Sequence, residues 1–240
     1  MIKKLTKALF RTFGYEVRRY RPPVCEFFQT WKHISSAPTF IIDVGANHGN
    51  WTRSALDYFP DARYLMIEPQ DRLKVYSKDL IQRANVHWLT AGISDQVGSL
   101  TLTLPPRDDT ASFIMNRESA EAYGYPQIEV PVTTLDRIVE EEQRIPELVK
   151  IDAEGFDLRA LRGASALLGS TDVFLVECAI YCSHLENSLE AVCAFMWGKG
   201  YRVFDFTDLN HSPKHGVLWL SEVVFVRRSS PIWEKADAYE

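Results

Sequence analysis

The sequence predicts one α/β domain, a doubly wound and mostly parallel sheet of about seven strands with a β insertion, preceded by a basic amphipathic helix. Three observations carry that expectation. From Phe40 onward, apolar stretches alternate with amphipathic ones, as βαβ units require. The first apolar stretch runs into a glycine-containing turn at Gly45 and Gly49, and residues 97–134 switch to a period of two. A chain of 240 residues is long enough for one such domain with a modest extension.

In chain order, Ile2, Leu5, Leu9 and Phe13 recur at helical spacing with Lys and Arg between them and end near Gly14. Two readings stay open: a helix docked on the domain with a solvated basic face, or a peripheral contact with an anionic membrane surface. Arg21-Pro22-Pro23 reads as a stiff connector, so residues 1–37 form helix plus connector and 38–240 the domain. Strands are expected at about 39–44, 63–67, 86–90, 148–152 and 172–178, with helices at about 50–59, 71–83 and 156–168. Ser99 to Leu104 and Ile128 to Thr133 alternate in period two and suggest an inserted β ribbon. After a helix near 187–198, Tyr201–Phe206 and Ser221–Val226 read as an antiparallel pair joined by a polar loop.

Composition narrows the classes. No apolar run approaches the roughly 20 residues that a membrane span needs. Cys25, Cys178, Cys182 and Cys193 lie in apolar or aromatic surroundings without CxxC spacing, which favours reduced core thiols and a cytoplasmic setting. Lys and Arg interrupt the first apolar positions, unlike a secretory signal. Residues 1–21 carry seven cations against Glu16 alone, a local +6 that leaves −11 on the rest of a chain with net charge −5. An acidic body disfavours a nucleic-acid partner and leaves a small molecule or glycan as the expected one.

The segment Thr39 to Gly49 is an apolar strand entering a turn that opens a helix, the place where α/β sheets bind nucleotides. Asn47 stands two residues after Gly45, where a dinucleotide fold has a second glycine, so a pyrophosphate would be crowded. Asp43 would repel a diphosphate and attract the sulfonium and ammonium of S-adenosylmethionine, by roughly 3 kcal/mol at about 5 Å and an effective dielectric of about 20, before desolvation. Asp43, Gly45, Asn47 and Gly49 are therefore cofactor candidates in a Rossmann-like frame. Glu68 ends the second strand about 20 residues beyond the glycine turn, where a carboxylate accepts ribose hydroxyls. Ile93, Ser94 and Asp95 follow the third strand and could cover and edge an adenine. An NAD-dependent oxidoreductase is the rival that Asp43 and Asn47 argue against. A noncatalytic binding protein that recognises a partner through the basic helix is the other.

With these residues in hand, the chain resembles the FkbM family of methyltransferases. The resemblance rests on IIDVGANHGNWT at 41–52, IEP at 67–69, GISDQVG at 92–98, VPVTTLDRIV at 130–139, VKIDAEGFDLRALRGA at 149–164 and LVE at 175–177. It implies a class I methyltransferase fold and S-adenosylmethionine-dependent O-methylation, often of sugar or polyketide hydroxyls. Ala153 stands where the family commonly has Val, a small apolar exchange.

Asp152 and Glu154 sit at the C-terminal edge of the fourth strand, beside the expected cofactor crevice. The pair suits an acceptor hydroxyl by hydrogen bonding it, taking its proton, or holding a divalent cation such as Mg²⁺. The alternative is that Asp152 caps the following helix and Glu154 is solvated. Glu177 ends the fifth strand at the same edge. The loop Thr207 to Gly216 should emerge there too, which makes His211 and His215 candidate bases or acceptor contacts.

Overall fold

Phe40–Val44 (β1) is buried along its whole length at the centre of a seven-stranded sheet. A parallel strand covered on both faces reads as a continuous apolar run, and FIIDV breaks that run only as it enters the turn. The computed structural model describes residues 22–181 and 186–236. The basic helix expected within residues 1–21, and with them Cys182 and His184, lie outside those ranges.

The sheet is completed by β2 (Arg63–Ile67), β3 (Val86–Leu89), β7 (Leu148–Ile151), β8 (Val173–Ala179), β9 (Tyr201–His211) and β10 (Leu218–Arg227), in the order β3-β2-β1-β7-β8-β10-β9. β1, β2, β3, β7 and β8 pair in parallel, and β10 runs antiparallel between β8 and β9. The order turns back at β1 and β7, so the C-terminal ends of those strands border the crevice where such folds bind ligands. A second sheet, β4-β6-β5, is built from β4 (Gly92–Ile93), β5 (Gly98–Thr103) and β6 (Gln127–Thr133). Within the expected ribbon, the chain also makes a helix, α4 (Arg117–Tyr123), capped by Asn116.

Alternation along the strands sends neighbouring residues to opposite faces. Ile42, Val44, Val149, Ile151, Phe174 and Val176 pack on one side with α5 (Leu135–Glu142), α6 (Asp157–Arg162) and α7 (Leu189–Gly198). Ile41, Tyr64, Leu148, Leu175 and Val224 pack on the other with α1 (Pro23–Ile34) and α2 (Asn50–Leu56).

Helix α1 corrects the connector expected at Arg21-Pro22-Pro23. Pro23 is its first residue, a position where the missing N–H costs nothing and the fixed φ suits the helix. Val24, Phe27, Phe28 and Trp31 form its buried stripe, and Phe28 meets Trp51 and Phe59 edge to face at 5.4 and 5.6 Å. The stretch before residue 38 thus shares a core with β1. The helix expected over 71–83 is a 3-10 turn, Asp71–Ser77, followed by the short α3 (Lys78–Ile81). Arg53 Nη2 donates to the Tyr76 carbonyl at 2.6 Å, an acceptor that a continuous helix would use itself. A short α8 (Ile232–Lys235) closes the described chain.

Candidate active site

Gly45, with φ of 72°, opens the turn after β1; a Cβ there would lie 1.8 Å from the Asp152 carbonyl oxygen. Only glycine permits the ends of β1 and β7 to approach so closely. Asn47 also has positive φ, 46°, which Asn tolerates better than most residues. Its backbone N–H donates to Glu68 Oε2 at 3.0 Å, and Gln70 N–H donates to Oε1 at 2.9 Å. Burial raises the Glu68 carboxyl above its ordinary range, and those two N–H groups oppose the shift.

A cleft of about 560 Å³, counting its open mouth, lies over this turn. Ile67, Pro69, Ile93 and Phe113 form its apolar flanks; Glu68, Asn47, Asp152 and Glu154 are its polar walls. The 3-10 turn Asp108–Thr110 adds a rim. The Asp108 carbonyl accepts from Asn47 Nδ2 at 3.2 Å and Gln70 Nε2 at 3.0 Å, and its carboxylate pairs with Arg72 and with His48 Nε2 at 3.2 Å.

A second cleft, about 1070 Å³ including its open mouth, adjoins the first and shares Gly45, Asn47, Asp109 and Asp152 with it. Lys150, Glu177 and Glu222 line it from strand positions that alternate with core side chains, and the wholly buried Asp43 lies against Lys150. Asp43 and Lys150 are register partners on β1 and β7, and Glu177 and Glu222 are register partners on β8 and β10. Lys150 Nζ is buried and donates to the Gly45 and Val44 carbonyls at 2.9 and 3.2 Å, with Asp152 at 3.2 Å and Asp43 at 3.4 Å. Burial alone would depress this ammonium, but Asp152, Asp43 and Glu222 outweigh it and hold Lys150 above its usual range. Pairing of Asp208 with Glu222 and of Phe206 with Val223 leaves Thr207 as an extra residue on β9. Bulges of this kind re-aim side chains next to sites, and here the Thr207 hydroxyl donates to Glu222.

A family model for the methyltransferase FkbM domain matches residues 43–203. The chain belongs to this family. The FkbM domain is an S-adenosylmethionine-dependent methyltransferase, and its sheet is the Rossmann-like one expected. Comparison with curated proteins finds no match. Among solved structures, a precorrin-6y C5,15-methyltransferase from Geobacter metallireducens GS-15 is 12% identical with a TM-score of 0.46, over 85% of this chain and 87% of that one. An rRNA methylase from Streptococcus thermophilus is 8% identical with a TM-score of 0.49, over 88% and 99%. Fibrillarin from Aeropyrum pernix, solved with natively bound S-adenosyl-L-methionine, is 11% identical with a TM-score of 0.44, over 78% and 67%. Likeness at this level carries no argument about the acceptor.

The first cleft of the FkbM domain fits the cofactor by chemistry. Its apolar flanks suit a purine, Glu68 keeps lone pairs for a ribose diol, and carboxylates at the far end suit a cationic tail. Gly45, Asn47, Glu68 and Ile93 lie on its wall as expected residues, with Asp152 and Glu154. Four other expected residues lie away from this wall. Asp43 is wholly buried, accepts from Thr52 Oγ1 at 2.6 Å, faces Lys150 and lines neither cleft. Gly49 opens α2 and also lines neither. Ser94 and Asp95 turn toward a separate depression with Arg159 and Arg162.

Glu177 lines the second cleft, whereas His211 and His215 are exposed at the far end of the β9–β10 ribbon and line neither. Asp152 does not cap α6. That turn is built by Asp157, missed in the sequence reading, whose buried carboxylate accepts from Ala153 and Gly155 N–H at 2.8 and 3.1 Å and from Asn187 Nδ2 at 2.8 Å. The divalent cation also lacks a seat: among the described residues no three His, Cys, Asp or Glu are grouped to hold a metal, and the Lys150 ammonium stands beside Asp152 instead. No helix among the described residues is long and apolar enough to cross a membrane.

Burial first, then neighbouring Asp152 and Asp157, pushes Glu154 up to about 8. Burial pushes Asp157 up to about 7 against its N–H donors, and Glu222 up to about 7 against Thr207 and Lys150. Each group binds its proton more tightly folded than unfolded, so the linked stability is full below the ordinary carboxyl range and is lost as pH rises through the folded values. Thermal melts of the unliganded protein should therefore fall between pH 5 and pH 8 and then level off, with a shallower fall in Glu154→Gln. A melting temperature that rises across this window would contradict the buried acids.

Proposed function

We propose that the domain methylates a hydroxyl of a small molecule or glycan, with the acceptor in the second cleft. One observation carries the reading: Asp152 stands on the wall of both clefts, where a methyl donor in the first meets an acceptor in the second. When bound, S-adenosylmethionine supplies a methyl carbon already activated by a sulfonium leaving group. Gly45, Asn47, Glu68 and Ile93 hold the nucleoside side. Asp152, beside the Lys150 ammonium, accepts the acceptor O–H and takes its proton as the oxygen–carbon bond forms. Glu177 lines the acceptor cleft and not the first one. Alignment of oxygen and methyl carbon supplies most of the remaining rate. The carboxylates of the second cleft repel phosphate, which favours small acceptors over nucleic acid.

The test is a thermal melt with S-adenosylhomocysteine followed by transfer of labelled methyl from the cofactor to panels of sugars, glycans and polyketide alcohols. Stabilisation and label on an acceptor oxygen are expected. No stabilisation, or label confined to nucleic acid or to nitrogen, would overturn the reading.

A further inference from the structure

The second cleft holds more carboxyl groups than hydroxyl methylation needs. Glu177 and Glu222 are direct partners across β8 and β10, so both carboxylates project on the same face, and both line the cleft. Like charges directly opposite one another destabilise a sheet, and desolvation raises the cost for both. Glu222 has a donor in Thr207. Glu177 receives no hydrogen bond or ion pair from any described residue. Lys150 eases both carboxyls only through its charge, since the contacts of its ammonium go to two carbonyls, Asp43 and Asp152. Asp109 and Asp208 on the same walls add to the charge.

We propose that the acceptor carries a protonated amine beside the hydroxyl that is methylated, and that Glu177 and Glu222 hold this amine, as suits an amino sugar or aminocyclitol. The proposal rests on the reading that the second cleft takes the acceptor. An ammonium has three donors and can bridge both carboxylates. Burial lets the empty pair, or the pair facing a neutral polyol, hold protons, whereas an ammonium displaces them and keeps both carboxylates ionised; an anion is repelled. Anchoring the amine there would hold a neighbouring hydroxyl toward Asp152, at the border of the two clefts.

The test is calorimetric titration of the protein saturated with S-adenosylhomocysteine, using three rings that differ in the nitrogen. They are 2-deoxystreptamine, its N,N′-diacetyl derivative and scyllo-inositol. The free diamine should bind at least about tenfold more tightly than the other two, with an advantage that shrinks about tenfold in Glu177→Gln and in Glu222→Gln and weakens with salt. Equal binding of the three rings, no binding of the diamine, or an advantage unchanged in both variants overturns the proposal. Should a variant fail to fold, the comparison of rings on the parent protein still decides. Failure of S-adenosylhomocysteine itself to bind would instead sink the methyltransferase reading of the first cleft.

Discussion

Replacing Lys150 by methionine is expected to destabilise the protein by about 3 to 5 kcal/mol, the scale of removing one partner from a buried ion pair. Methionine restores the volume but none of the four contacts of the ammonium. Asp43, with no exposed surface, keeps only Thr52 as a donor, while the Gly45 carbonyl loses its donor and the Val44 carbonyl keeps only the Asp152 N–H. For a domain of this size the loss corresponds to a melting temperature lower by about 6 to 20 °C. Asp43→Asn in the same background should recover part of it, because the amide still accepts from Thr52 and no longer leaves a buried charge. Denaturant titrations of the single and double variants check both statements. A Lys150→Met protein as stable as the parent would mean that Asp43 is neutral without its partner.

The second large effect is on turnover. Asp152→Asn should lower methyl transfer by about a hundredfold or more, the range for loss of a general base, while S-adenosylhomocysteine affinity changes by no more than about threefold. The asymmetry follows from position: the ribose side of the first cleft is carried by Glu68 and the glycine turn, and Asp152 stands at the end that the second cleft shares. Single-turnover transfer of labelled methyl, measured beside calorimetry, separates the two. Unchanged transfer would pass the base role to Glu177, which lines the acceptor cleft alone.

The parallel strands were legible because their apolar runs are short and bounded by turns; β1, β2 and β3 lie within about a residue of the expected spans. Helix α1 was not, because a Pro-Pro pair marks a helix start as readily as a helix end, and Val24, Phe27, Phe28 and Trp31 held the deciding period. The histidines were assigned to the right end of the sheet, but β9 continues to His211 and carries them past the cleft mouth. Lys150 did leave a signal: a lone ammonium in the buried strand LVKI requires a buried carboxylate, and the sequence places Asp43 at the same strand end. The rim at Asp108 left none, since its partners Asn47, His48, Gln70 and Arg72 are 36 to 61 residues away in the chain.

The bulge that turns Thr207 onto Glu222 also bears on how the molecule behaves in a crowded solution. β9 is the last strand of its sheet and is eleven residues long, and a long flat edge is a template for a strand from another molecule. Three register shifts interrupt its pairing with β10, and Arg202, Asp205 and Asp208 place charges along it. An incoming strand would have to follow those irregularities while crossing a row of charged side chains. The local distortion that shapes the acceptor wall therefore guards against edge-to-edge aggregation, and straightening the ribbon by deleting Thr207 would expose the chain to it.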